Sequence, residues 1–166
     1  MRVFAVSGFS FSGKTFLLEQ IVKQLVSEGI SVATVKSTKE DIRAPEGTDT
    51  WRHGVAGANP TILSGPNTTT IRFNDRVDIL KVADTLNVDY LLLEGFKGLD
   101  VPKFWCIGET SEEISEIPNT IRAIIIWEGS KIASSLDDIP IISNAEIDKL
   151  TSIVKTEAID VHDVLV

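Results

Sequence analysis

Only one cysteine, Cys106, occurs in the 166 residues, so no disulfide can close within the chain and a reducing compartment is the simple expectation. Histidine is equally scarce. His53 and His162 lie far apart, and with a single thiol they leave no cluster of the kind that stores a soft metal. Positive charge is in deficit: 16 Lys and Arg stand against 24 Asp and Glu, for a net charge of −8. A nucleic-acid-binding face requires clustered Lys and Arg, so that class of partner is excluded. No apolar run approaches the ~20 residues of a membrane-spanning helix. The opening MRVFAVS is too short an apolar run for a secretory leader, and glycine and lysine follow at once. The expectation is a cytoplasmic protein with no membrane partner. Internal repeats, low-complexity tracts and linkers are also lacking, which reads as a single domain over residues 1–166.

What is present alternates. Residues 2–7 read as a buried strand through Val3, Phe4, Ala5 and Val6. Residues 14–28 read as a helix, because Leu17, Ile21 and Leu25 recur every four residues, as do Leu18, Val22 and Val26. Gly29 is a natural stop just beyond it. Residues 30–35 form a second β-branched strand, which completes a strand–helix–strand unit with parallel strands. Further strands are expected at 61–63, 69–73, 89–94, 103–107, 121–127 and 139–142. Helices are expected at 48–58, 78–86 and 145–156. The polar stretch 36–50 has no periodicity and reads as a long loop of the length usually reserved for function. The pattern predicts an α/β chain, a three-layer α/β/α fold with a mostly parallel central sheet, and the strand-to-helix junction GFSFSGKT makes it one of the P-loop NTPase type.

The junction between the first strand and the first helix reads GFSFSGKT, which satisfies G-x-x-x-x-G-K-[ST] with Gly8, Gly13, Lys14 and Thr15. A loop that wraps a phosphate must turn its N–H groups inward, and glycine permits the backbone angles this needs. The following helix points its positive end at the anion. Lys14 would reach the terminal phosphates and the Thr15 hydroxyl a Mg²⁺ ion. Gly8, Phe9, Ser10, Phe11, Ser12, Gly13, Lys14, Thr15 and Phe16 are therefore the candidate nucleotide-binding residues. An acidic chain can hold an acidic ligand this way, because the positive potential is local.

A phosphate loop needs a second acid beside it. DYLLLEGFKG supplies Glu94 at the end of an apolar strand, at the sheet edge where open α/β folds bind ligands. Glu94 is expected to hold Mg²⁺ or orient water. Asp49, which opens a helical segment next to the long loop, is a third candidate for metal and catalysis, with a plain helix cap as the alternative. Lys97 follows closely and could face the same crevice. His53 and His162 read as structural or incidental. Arg43 and Arg52 are the candidates by position for a catalytic arginine.

Three stretches in order resemble the molybdopterin-guanine dinucleotide biosynthesis protein B (MobB) family. They are the phosphate loop; Lys36 with Gly47, Asp49, Thr50, Ala56, Gly57 and Ala58; and Glu94, Gly95, Phe96 and Lys97 followed by Pro102 and Lys103. The likeness covers about the first 110 residues. It departs where the family carries histidines after its lysine, since Ser37, Thr38 and Lys39 stand there instead. The resemblance implies GTP and Mg²⁺ as ligands and slow GTP hydrolysis. It also implies a homodimeric adaptor beside the MobA-type guanylyltransferase that joins GMP to molybdopterin, with molybdopterin itself as a further ligand.

The preference for GTP rests on that resemblance, because no N-K-x-D guanine reader is present; Asn144 and Asp148 are spaced wrongly for one but could line a base pocket. The residues themselves point to cleavage of the β–γ bond by water, with Lys14 and the loop amides neutralising charge. Thr15, Glu94 and Asp49 would organise the metal. Two alternatives share the motif: a small-molecule kinase with residues 36–50 as a lid, and a nucleotide-bound scaffold without turnover.

Overall fold

A computed structural model of the chain describes residues 1–108, 118–127 and 139–164. It divides into two compact units: Met1–Ser37 with Ala83–Val166, and Thr38–Val82.

The larger unit is built on a parallel sheet. Its strands are β1 (Arg2–Gly8), β2 (Val32–Lys36) and, beyond the second unit, β5 (Tyr90–Glu94), β6 (Lys103–Cys106), β7 (Ile121–Ile126) and β8 (Ile141–Ser143). They lie in the order β2-β5-β1-β6-β7-β8, so β1 is central. A further short strand, β9 (Ile159–Asp160), pairs antiparallel with Arg2 and Val3. It takes the start of the β1 edge whose remainder, Ala5 to Gly8, pairs with β6. The mostly parallel sheet with flanking helices matches the expected fold class.

Alternation along the strands sorts the core. Phe4, Val6, Tyr90, Leu92, Phe104, Cys106, Ala123, Ile125 and Ile142 face one side. There they meet Leu17, Leu18, Ile21 and Leu25 of α1 (Lys14–Ser27) and Leu150 and Val154 of α4 (Ile147–Glu157). Each fully buried leucine or isoleucine contributes about 1.5–3 kcal/mol. Val3, Ala5, Leu91 and Leu93 on the opposite face are fully buried too, as continuous apolar strands of a two-sided sheet require. Helix α1 stops where expected. Gly29 takes φ 80°, and the N–H groups of Gly29 and Ile30 close on the carbonyls of Val26 and Leu25. The Arg2 guanidinium donates to the carbonyls of Lys155, at 2.6 Å, and Ala158, where α4 ends and its dipole is negative.

The second unit holds α2 (Asp49–Val55) and a hairpin of β3 (Thr61–Ser64) and β4 (Thr69–Arg72) about the expected turn. Helix α3 (Ile79–Asp84) spans the boundary between the units. Every regular element expected from the sequence is found, with no end shifted by more than three residues. Among the described residues, the elements not expected are β9 and the 3₁₀ turn Val161–Asp163, whose brevity leaves no periodic signal.

Candidate nucleotide site

The carboxyl ends of the parallel strands converge on one rim. From β1 the chain enters the glycine-bounded loop and then α1, which begins at Lys14. Glycine is required at both ends of the loop. A Cβ on Gly8 would lie 2.4 Å from the Cys106 carbonyl oxygen, and one on Gly13 would lie 1.7 Å from the Trp127 ring. Gly13 also takes φ 76°. The first turn of α1 has neither a side-chain cap nor an acid, so its free N–H groups carry an uncompensated positive end. Inside the loop the Phe9 carbonyl accepts hydrogen bonds from Ser12 Oγ, at 2.9 Å, and from Lys14 Nζ. Trp127, at the end of β7, closes over the loop by donating Nε1–H to the Ser12 carbonyl at 3.1 Å, and its ring packs against Phe16.

Thr15, one residue into α1, meets Glu94 at the end of β5: the hydroxyl donates to Oε1 at 2.7 Å. These are hard oxygen donors. Their separation is close to the ~2.9 Å edge of an octahedron with Mg–O bonds of about 2.0–2.1 Å, so the pair fits two neighbouring positions on Mg²⁺. A cation of the protein's own is already there. Lys36 Nζ lies 2.9 Å from Glu94 Oε1 and 3.2 Å from Thr15 Oγ1. Burial lowers the pKa of Lys14, and the ammonium groups of Lys97 and Lys36 push it the same way against Glu94. Lys14 thus sits among charges that a polyphosphate would neutralise.

The structure brings Gly8 through Phe16 and Glu94 to one rim, and adds Lys36 and Trp127, to which the sequence reading gave no role at the site. Lys36 ends a strand, which is a signal of sorts. Trp127 approaches Gly13 from more than a hundred residues away, and no local pattern announces it. Phe11 projects freely into solvent at φ 62°. Asp148 is placed elsewhere: it accepts from Gln24, ten residues along α1 and therefore roughly 15 Å from its start, which removes it from a base pocket beside the loop. Asn144 follows β8 on the rim, its N–H on the Ile126 carbonyl and its buried Oδ1 without a partner. Asp49 is exposed in the first turn of α2, in the second unit, and the cap there is Thr48, whose Oγ1 accepts from Trp51 N–H. His53, Arg43 and Arg52 are also exposed in that unit. His162 stands near Asp84, at 3.7 Å. Among the described residues no group of three His, Cys, Asp or Glu forms a metal cluster, and no helix is long and apolar enough to cross a membrane.

The profile of one protein family, "Molybdopterin guanine dinucleotide synthesis protein B", matches residues 3–127, three-quarters of the chain. The chain belongs to the MobB family. It is 30% identical over 141 residues to the molybdopterin-guanine dinucleotide biosynthesis adapter protein of Haemophilus influenzae, covering 81% of this chain and 79% of that one. A MobB-type relative from Methanocaldococcus jannaschii is 41% identical over 111 residues, which are 62% of this chain but 46% of the relative. The chain thus spans under half the length of that relative. The fold also matches a crystal structure of MobB from Bacillus subtilis, with TM-score 0.78, 22% identity and coverage of 96% and 99%. A MobB homologue from Bacillus stearothermophilus matches with TM-score 0.69, 27% identity and coverage of 98% and 99%.

Proposed function

We propose that this MobB-family chain binds GTP with Mg²⁺, hydrolyses it slowly, and serves as the adaptor for attaching GMP to molybdopterin. Membership of the family carries the pathway; the observation that carries the chemistry is the 2.7 Å contact between Thr15 and Glu94 at the mouth of the phosphate loop. Mg²⁺ held by Thr15 and Glu94 would supply charge to the phosphate oxygens. Lys14 exchanges the Phe9 carbonyl for the β- and γ-phosphates, and the open N–H groups of the loop and of α1 neutralise charge on the leaving group. Glu94 orients water. Arg43 and Arg52 are candidates for a catalytic arginine by position alone, and turnover without such an arginine is slow, which suits a switch rather than a metabolic catalyst.

The partner in this reading is a MobA-type guanylyltransferase, with molybdopterin as its shared substrate and the chain acting as a homodimer in the cytoplasm. The β3–β4 hairpin supports the dimer. Its side chains Ile62 and Ile71 pair across the two strands and are 60 and 55% exposed, an apolar face on a two-stranded ribbon. The testing experiment is calorimetric titration of GTP and ATP analogues with and without Mg²⁺, on the native chain and on Lys14→Ala. Guanine preference, Mg²⁺ dependence and loss of binding in the variant are expected. Equal binding of adenine with phosphate transfer to an added metabolite would make the chain a small-molecule kinase instead.

A further inference from the structure

The turn that follows β5 is built over a buried lysine. Lys103 is 1% exposed, and among the described residues no carboxylate forms an ion pair with it. Its ammonium donates instead to the main-chain carbonyls of Leu99 at 2.6 Å and Lys97 at 2.9 Å, with that of Phe96 at 3.5 Å. The turn is sharp, since Gly95 takes φ 97° and Phe96 φ 45°. A non-glycine residue in that region costs about 1–2 kcal/mol. Taking an ammonium out of water is costly as well, and burial lowers the Lys103 pKa. Two costs converge on one short turn. What the turn presents is the exposed side chain of Lys97. Its Nζ lies 3.8 Å over the Phe9 ring and 5.5 Å from that of Trp105, and the two rings meet edge to face. Phe9 is the second residue of the phosphate loop, and its carbonyl is the one that holds Lys14.

We infer that Lys97 is a second phosphate-facing cation, parked on Phe9 beside the phosphate loop and presented there by a turn that Lys103 holds from beneath. This rests on the nucleotide reading of the loop. A chain of net charge −8 must concentrate positive potential where a polyphosphate docks; Lys36 is paired with Glu94, and Lys14 with one helix terminus is a small supply. An aromatic face holds an ammonium without desolvating it fully, so release onto an arriving phosphate costs little. Lys97 acts on the nucleotide. Lys103 acts through Lys97 and is a positioning residue.

The test is calorimetric affinity for GTP with Mg²⁺ on the full chain and its variants, with thermal midpoints measured alongside. Lys97→Met should weaken binding about tenfold, as loss of one charge-assisted contact does. Its thermal midpoint should stay unchanged, because the side chain is exposed, and Lys97→Arg should restore most of the affinity. Lys103→Met should weaken binding to a similar extent, and the double variant should lose little more than either single one. If Lys103→Met does not fold, Phe9→Leu, which removes the platform, takes its place in the same cycle. Native affinity in Lys97→Met, or losses that simply add, would overturn the inference. Absence of nucleotide binding by the native chain would instead sink the reading on which it rests, and the inference with it.

Discussion

Lys36 and Glu94 stand opposite one another in register at the ends of β2 and β5, and their side chains form an ion pair of 2.9 Å. The same ammonium reaches Thr15 Oγ1 at 3.2 Å. The place a divalent cation would take between a hydroxyl and a carboxylate is therefore held by the protein itself. The Lys36 side chain is 61% exposed while that of Glu94 is 10% exposed, so the lysine can withdraw into water and the acid cannot. Withdrawal of the lysine leaves the buried acid uncompensated only until a divalent cation takes its place, so ammonium and metal exchange for one another.

Lys36→Met should therefore lower the Mg²⁺ concentration that half-saturates triphosphate binding, by several-fold. Calorimetry at a series of Mg²⁺ concentrations reads this directly. A higher Mg²⁺ requirement would place Lys36 on the nucleotide rather than in competition with the metal.

Gly13→Ala should destabilise the chain by ~2–4 kcal/mol and abolish nucleotide binding, since the added methyl meets the Trp127 ring at 1.7 Å in a backbone at φ 76°. In a Trp127→Ala background the steric part vanishes, leaving about 1–2 kcal/mol for the backbone alone. Denaturant unfolding of the four proteins in the cycle measures the difference. Additive losses would mean that the indole does not bear on Gly13.

Burial pushes the Cys106 thiol up to about 12, against an ordinary value of 9.0. The neutral thiol is thus favoured by folding. Stability that this group contributes is intact below the unfolded value and falls as pH rises from about 9 towards 12, by at most ~1.4 kcal/mol per pH unit. Lys14 and Lys103, both shifted downward by burial, work in the opposite sense over the same alkaline range. The thiol's share is therefore the difference in pH dependence between the native chain and Cys106→Ala. Parallel curves would show that Cys106 ionises freely in the folded state. Alkylation of Cys106 at pH 8 should likewise wait on unfolding.

Replacing both Ile62 and Ile71, which face each other across β3 and β4, by lysine should convert the proposed dimer to a monomer in sedimentation velocity. An unchanged mass would dismiss the hairpin as the contact.

The phosphate loop and the strand ending in Glu94 were legible in the sequence because they depend on local order: glycine at fixed spacing, a strand before, a periodic helix after. The core helices were legible for the same reason. Trp127, Lys36 and the Lys103 support were not, because each acts on a neighbour brought close only by the sheet. Asp148 shows the converse, since its side chain is engaged by Gln24 in a helix 124 positions away in sequence. Nor does composition mark the boundaries of residues 38–82, which lack the Gly- or Pro-rich borders that signal a linker.

The antiparallel pairing of β9 with the first residues of β1 bears on the order of synthesis. Arg2 and Val3 are made more than 150 residues before their partners Asp160 and Ile159 and before the carbonyl of Lys155 that receives Arg2. Until then the middle strand of the sheet carries an open stretch of main chain at its entry. A nascent or truncated chain ending before α4 would expose that edge on the very strand that leads into the phosphate loop, and would be the form most prone to pair with a neighbour.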